Sequence, residues 1–151
     1  MSIKIERSAL LEYPAKHIYD LVNDIEAYPE FLKDCKDAKI IEQADSFMVA
    51  KLILKKAGLE LAFTTKNSLE IGEKISLSLV DGPFKNFSGY WKFTNLGDHA
   101  SKVSFTLDFE IKNGLASRLI GKLLESTVNE LIDSFANRAK NLQIQKEGPT
   151  K

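Results

Sequence analysis

The amino-acid sequence predicts an α+β fold in which a curved antiparallel sheet of about seven strands encloses a long C-terminal helix. Apolar and polar residues alternate from Cys35 to Ile111, which is the period of half-buried strands. Leu115 to Leu142 instead carries adjacent apolar pairs at helical spacing. One strand and two short helices precede the alternating region. The predicted order is therefore one strand, two helices, six strands and one helix.

The N-terminal elements follow from alternation and from proline. Ile3 to Leu11 alternates as a strand does, and Pro14 suits the first turn of a helix that reaches about Asn23. A second short helix is predicted around Tyr28, although Pro29 interrupts its hydrogen bonding.

Turn sequences divide the six predicted strands. Lys56-Ala57-Gly58 and Asp81-Gly82-Pro83 are typical of tight turns. The last strand has the clearest alternation, with apolar residues at every second position from Val103 to Ile111. An antiparallel meander with one buried face is therefore expected.

A chain of 151 residues suits one domain, and we place it at residues 1–145. Residues 146–151 include Gly148 and Pro149 and are predicted to form a disordered tail. The N-terminus does not resemble a signal peptide, and no apolar run approaches the ~20 residues of a membrane span. We expect a cytoplasmic protein that contacts a membrane peripherally at most.

Composition and spacing exclude several functions. Lys plus Arg equal Asp plus Glu at 21 each, so the basic excess of a DNA-binding protein is absent. Cys35 is the single cysteine, which argues against a disulfide framework or a cysteine metal site. Phosphate-binding loops and nucleophile elbows are also absent. We expect no enzymatic activity, no metal and no required cofactor.

Large apolar side chains at inward positions predict either a filled core or the wall of a ligand cavity. The candidate cavity residues are Phe63, Leu77, Trp91, Phe93, Phe105, Leu107, Phe109, Leu119, Leu123 and Leu131. The candidate entrance residues are Tyr28, Pro29, Phe31 and Phe84. If exposed, Phe84 at its turn would favour contact with a partner or a membrane.

Several segments resemble one protein family along nearly the whole chain. Val22-Asn-Asp-Ile-Glu-Ala-Tyr-Pro-Glu-Phe-Leu32 and Asp81-Gly-Pro-Phe-Lys85, with Gly89 and Trp91 beyond it, are similar to segments of the bacterial RatA proteins and their mitochondrial coenzyme Q-binding relatives. Lys33, where the family commonly has proline, and Phe87, where it commonly has leucine, depart from the pattern.

The resemblance implies a START-like helix-grip fold with a hydrophobic cavity, and it implies two functions. One is binding of an isoprenoid quinone such as ubiquinone in support of respiratory electron transport, with no chemistry performed on it. The alternative is association with the large ribosomal subunit that blocks subunit joining, as in a toxin that an antitoxin opposes. A cyclase or dehydratase is a third alternative, since related folds host such enzymes.

Lysines at outward strand positions bear on the ribosomal alternative. Lys51, Lys55, Lys66 and Lys92 form either a basic face for ribosomal RNA or an ordinary solvated surface, since Glu60 and Glu70 dilute their charge. The sequence leaves both interpretations open.

Overall fold

The computed structural model describes residues 2–114 and 117–147 and confirms the predicted order of elements. The first strand, β1, is Ile3–Leu11; helix α1 is Ala15–Asn23, and a 3-10 helix covers Ile25–Glu30. Six strands follow, and the long helix α2 completes the order. The strands are β2 Cys35–Gln43, β3 Phe47–Lys56, β4 Leu59–Glu70, β5 Lys74–Asp81, β6 Phe84–Asn95 and β7 Ser101–Ile111.

All seven strands form one antiparallel sheet in the order β1-β7-β6-β5-β4-β3-β2. Strands β2 to β7 are a meander of sequential hairpins, and β1 joins the free side of β7. The predicted turn at Ala57 and Gly58 is present, and both residues have positive φ, 52° and 82°. That backbone is the type I′ geometry, which matches the twist of the flanking strands.

Helix α2 is Ser117–Glu147 and lies against the inner face of the sheet. Its predicted start at Leu115 lies outside the described residues. It ends at Glu147, so it includes the first two residues of the predicted tail, 146 and 147. The remainder of that tail, residues 148–151, also lies outside them. Gly121 allows the close approach of helix and sheet, because an added Cβ would lie 3.3 Å from Ile111 Cδ1.

Side-chain alternation divides the sheet into an inner and an outer face. Val103, Phe105, Leu107 and Phe109 on β7 are at most 4% exposed, whereas Lys102 and Asp108 between them are exposed. Burial of the inner face against α1 and α2 supplies the hydrophobic driving force for this arrangement. The outer face has no helix over it among the described elements.

Candidate functional site

A cavity of about 90 Å³ lies between the inner face of the sheet, the 3-10 helix and α2. Its walls come from α1, the 3-10 helix and its C-terminal loop, strands β2 to β7, and α2. The lining residues are Val22, Ile25, Tyr28, Leu32, Cys35, Ala50, Leu52, Leu54, Phe63, Thr65, Asn67, Ile75, Leu77, Phe87, Trp91, Phe105, Leu107, Leu124, Thr127, Val128 and Leu131. Pockets for drug-sized ligands have volumes of roughly 300–1,000 Å³. The observed space therefore suits a small apolar group.

Two polar side chains interrupt the apolar wall on β4. Thr65 Oγ1 donates a hydrogen bond to Asn67 Oδ1 over 2.7 Å, and both residues are buried. The Asn67 amide nitrogen carries two further donors. The cavity thus offers one hydrogen-bonding position for a polar atom of an otherwise apolar ligand.

The titratable groups in the described lining are the Tyr28 hydroxyl and the Cys35 thiol. Burial raises the pKa of Tyr28 far above its usual value, and its hydroxyl donates to the Val22 carbonyl oxygen. Burial also raises the pKa of Cys35 to about 11. Both groups therefore keep their protons at neutral pH, and neither supplies a general base there.

The 3-10 helix closes one side of the cavity and is held to α2 by charged and aromatic contacts. Arg138 Nη2 lies 2.9 Å from Glu30 Oε1, and the guanidinium lies 5.1 Å from the centre of the Phe31 ring. Lys33 Nζ, just beyond the helix, lies 3.3 Å from Glu130 Oε1. Opening this side requires these contacts to break.

The predicted entrance residues have different positions in the structure. Tyr28 lines the cavity, Phe31 is half-buried beside it, and Pro29 is exposed on the 3-10 helix. Phe84 does not form an exposed entrance, since this side chain is 2% exposed and packs on Phe87 with ring centres 5.0 Å apart, so the condition for partner or membrane contact through it is not met.

A β-bulge explains the position of Phe84. The pairing of β6 with β7 shifts register between Phe84 and Asn86. Strict alternation would place Phe84 and Phe87 on opposite faces, because three positions separate them. The extra residue of the bulge turns both side chains inward.

Six of the ten predicted cavity residues line the cavity, and these are Phe63, Leu77, Trp91, Phe105, Leu107 and Leu131. The prediction for Leu119 is wrong, because this side chain is 56% exposed. Phe93, Phe109 and Leu123 are buried but lie outside the cavity wall. Phe93 instead packs against Tyr19 of α1, with ring centres 5.5 Å apart.

The rotation of α2 decides which of its residues face the cavity. Leu124, Thr127, Val128 and Leu131 follow the i, i+3, i+4, i+7 spacing of one helix face. Leu119 and Leu123 lie on the flanks of that face. Sequence reasoning missed Thr65 and Asn67, although polar residues at inward positions of an alternating strand were a usable signal.

Comparison with known proteins assigns the family. Residues 11–136 match the family described as polyketide cyclase / dehydrase and lipid transport. The chain belongs to this family. It is 42% identical over 142 residues to a Pseudomonas aeruginosa protein named "Ribosome association toxin RatA", covering 94% of this chain and 99% of that relative. It is 40% identical over 139 residues to the Escherichia coli "Persistence and stress-resistance toxin PasT", covering 92% of this chain and 88% of that relative. The resemblance to RatA proteins is confirmed.

Solved structures confirm the helix-grip fold. The Zhui aromatase/cyclase from a Streptomyces species superposes with a TM-score of 0.86 at 16% identity. The superposition covers 99% of this chain and 100% of the aromatase/cyclase chain. A START superfamily protein from Mycobacterium smegmatis gives a TM-score of 0.77 at 21% identity, covering 92% and 98% of the two chains. At these identities the likeness establishes the fold and not the activity.

Residues 2–114 and 117–147 contain neither a membrane-spanning helix nor a cluster of metal ligands. No described helix combines the length and apolar character that crossing a bilayer requires. No group of three His, Cys, Asp or Glu side chains in the same residues is placed to hold a metal ion.

Proposed function

We propose that this protein associates with the large ribosomal subunit and inhibits translation by blocking subunit joining. The observation that supports this most directly is the 40–42% identity, over more than nine-tenths of the chain, to relatives named as ribosome association or stress-resistance toxins. The cavity of about 90 Å³ supports it indirectly, because a carrier for a long isoprenoid tail needs a larger space. A role of the molecular surface fits both observations.

Sedimentation of purified ribosomal subunits tests this function. The protein is added to separate small and large subunits at low Mg²⁺, and Mg²⁺ is then raised to drive joining. The protein should sediment with large subunits, and the joined fraction should fall as its concentration rises. Small subunits alone are the control. Failure to sediment with large subunits, even at low salt where charge contacts are strongest, would exclude the function.

We also propose a second role, binding of an apolar molecule with one polar atom in the cavity. The largely apolar wall and the Thr65–Asn67 pair within it support this role. An isoprenoid quinone has a long apolar tail and two carbonyl oxygens, one of which can accept a hydrogen bond from the Asn67 amide, and each buried CH₂ of the tail contributes about 0.8 kcal/mol. A ligand of that length would need the 3-10 helix to move away from α2. In this proposal Glu30, Phe31 and Arg138 act as the entrance.

Extraction of the purified protein into organic solvent, followed by mass spectrometry, tests the second role. Titration with a short-chain ubiquinone should quench Trp91, because this single tryptophan lines the cavity. Ala50→Leu, which fills the cavity, should abolish quenching, whereas Leu119→Phe on the exposed side of α2 should not. An empty extract together with equal quenching in both variants would end the ligand proposal.

A further inference from the structure

The outer face of the sheet brings lysines of like charge together. Strand register places Lys39 directly opposite Lys51, and Lys74 directly opposite Lys92. Like charges in directly opposed positions destabilise a sheet. A chain of zero net charge has as many carboxylates as cations available for pairing. Sheet stability therefore gives no reason for the Lys39–Lys51 pair or for placing Lys92 opposite Lys74, although Glu70 lies opposite Lys74 on its other side.

Six lysines on this face also lack the carboxylate partners that other lysines have. Lys36 lies 3.1 Å from Glu60, and Lys85 lies 3.7 Å from Glu110. Those six lysines, at outward positions of the sheet, have no carboxylate within ion-pair distance among residues 2–114 and 117–147. These are Lys39, Lys51, Lys66, Lys74, Lys92 and Lys102. Their ammonium groups are available to an external anion.

Aromatic rings support two of these lysines. Lys66 Nζ lies 4.5 Å from the centre of the Phe47 ring, and Lys74 Nζ lies 4.9 Å from the centre of the Tyr90 ring. Contact with a ring face stabilises the cation without neutralising it. The two charges are thus positioned and still able to bind an anion.

Small hydroxyl side chains occupy the surface between the lysines. Ser76 is opposite Tyr90, which is opposite Thr106, and Lys92 is opposite Ser104. Lysine ammonium groups and serine, threonine and tyrosine hydroxyls contact phosphate and sugar oxygens in nucleic-acid complexes. We call this surface, made of Lys66, Lys74, Lys92, Lys102, Tyr90 and the intervening hydroxyl residues, the basic face.

Carboxylates lie at the border of the basic face and on the opposite side of the molecule. Glu70 of β4 lies opposite Lys74 of β5, and Asp108 of β7 lies opposite Lys4 of β1. On α2, Glu125 and Asp133 are exposed to solvent. Arg118, Lys122 and Lys140 are also exposed on α2, so that helix carries charges of both signs, whereas the basic face carries four lysines and no carboxylate.

We infer that the basic face binds the sugar–phosphate backbone of ribosomal RNA in the large subunit. This inference rests on the proposed ribosome association and names the surface and the chemical class of its partner there. Recognition of the backbone requires no excess charge over the whole chain, because four lysines without a carboxylate in ion-pair distance lie together on one face.

Neutralisation of the opposed pair tests the inference. A plot of log affinity against log salt concentration has a negative slope, and loss of two phosphate contacts reduces the steepness of that slope by roughly 1.4 to 1.8. The same loss weakens binding roughly 25- to 60-fold at about 0.1 M salt. The double variant Lys74→Gln/Lys92→Gln should show both changes in sedimentation with intact large subunits. Its melting temperature should change little, since removal of the Lys74–Lys92 repulsion offsets loss of the Lys74 contact with the Tyr90 ring and of its attraction to Glu70.

Lys122→Gln/Lys140→Gln is the matched control, because both lysines are exposed on α2 and the change in net charge is the same. Its affinity should stay within about twofold of the wild type. Equal binding by wild type and by Lys74→Gln/Lys92→Gln would overturn the basic face and leave ribosome association intact. Failure of the wild type to bind would instead refute the proposed function.

Hydroxyl-radical footprinting on intact subunits separates RNA from a ribosomal protein as the partner. The bound wild type should protect a run of riboses, and the pair variant should lose that protection. Retained binding without ribose protection would assign the contact to a ribosomal protein and overturn the inference.

Discussion

Phe135 connects α2 to both the sheet and the 3-10 helix, so its truncation tests the packing of the whole inner face. Its side chain is 1% exposed. Ring centres lie 5.4 Å away for Tyr28, 5.3 Å for Phe31 and 5.6 Å for Trp91, all near edge-on. Phe135→Ala removes these contacts and leaves a void beside the cavity.

The expected loss follows from burial and ring geometry. Truncation of a buried phenylalanine to alanine costs about 3–5 kcal/mol. Edge-on aromatic pairs contribute about 0.5–1.5 kcal/mol each beyond the area they bury. With three such pairs the upper part of that range applies, about 4–5 kcal/mol. A domain with about 5–15 kcal/mol of stability would remain folded but close to its limit.

Urea unfolding followed by tryptophan fluorescence measures this loss. Trp91 is the single tryptophan and contacts Phe135 directly, so its emission should also move to longer wavelength in the folded variant. Leu119→Ala is the control and should change stability by no more than about 0.5 kcal/mol, because Leu119 is 56% exposed. A loss below about 1 kcal/mol with unchanged emission would refute the described docking of α2 on the sheet.

Three further changes have defined outcomes. Gly89→Ala should lower the free energy of unfolding in urea by about 2–3 kcal/mol. The reason is that its Cβ would lie 2.6 Å from the Thr106 carbonyl oxygen. Ala57→Gly should raise that free energy by about 1 kcal/mol, since alanine at φ 52° is strained; an unchanged midpoint would contradict the turn geometry. Because the Cys35 pKa is about 11 in the folded protein and 9.0 when unperturbed, the unfolded state loses its proton first. Stability should therefore begin to fall at about pH 9 in the wild type but only at about pH 10 in Cys35→Ala, where buried Tyr28, whose ordinary pKa is 10.0 and is also raised, still titrates first in the unfolded state. Urea unfolding at a series of fixed pH values measures the difference.

The strands and the long helix were predictable because each shows its own period in the sequence. Alternation along β7 needs no other part of the chain to define its buried face. The second short helix was predicted in the right place but is a 3-10 helix over Ile25–Glu30, with Pro29 inside it. Proline removes a backbone donor there, so regular α-helical bonding is not sustained.

The cavity wall was harder to predict because it depends on contacts between distant segments. The side of α2 that faces the cavity is fixed where Gly121 meets Ile111, and a helical period alone does not specify that rotation. The position of Phe84 was predicted incorrectly for a similar reason. One extra residue in a β-bulge shifts the alternation, so that the side chains beyond it point to the opposite face from the one expected. The lysine pairs 39–51 and 74–92 needed the strand register, which the sequence pattern leaves undefined.

The pairing of the first strand with the last one has a consequence for synthesis of the protein. Ile3 pairs with Phe109, so the sheet stays incomplete until more than a hundred residues have been translated and the β7 segment has left the exit tunnel. Contacts between such distant segments form slowly, because a long loop must close first. A growing chain therefore carries β1 without its hydrogen-bonding neighbour for most of elongation. If the protein associates with ribosomes as proposed, and the basic face needs the completed sheet, a nascent copy gains that affinity only at the end of its own translation.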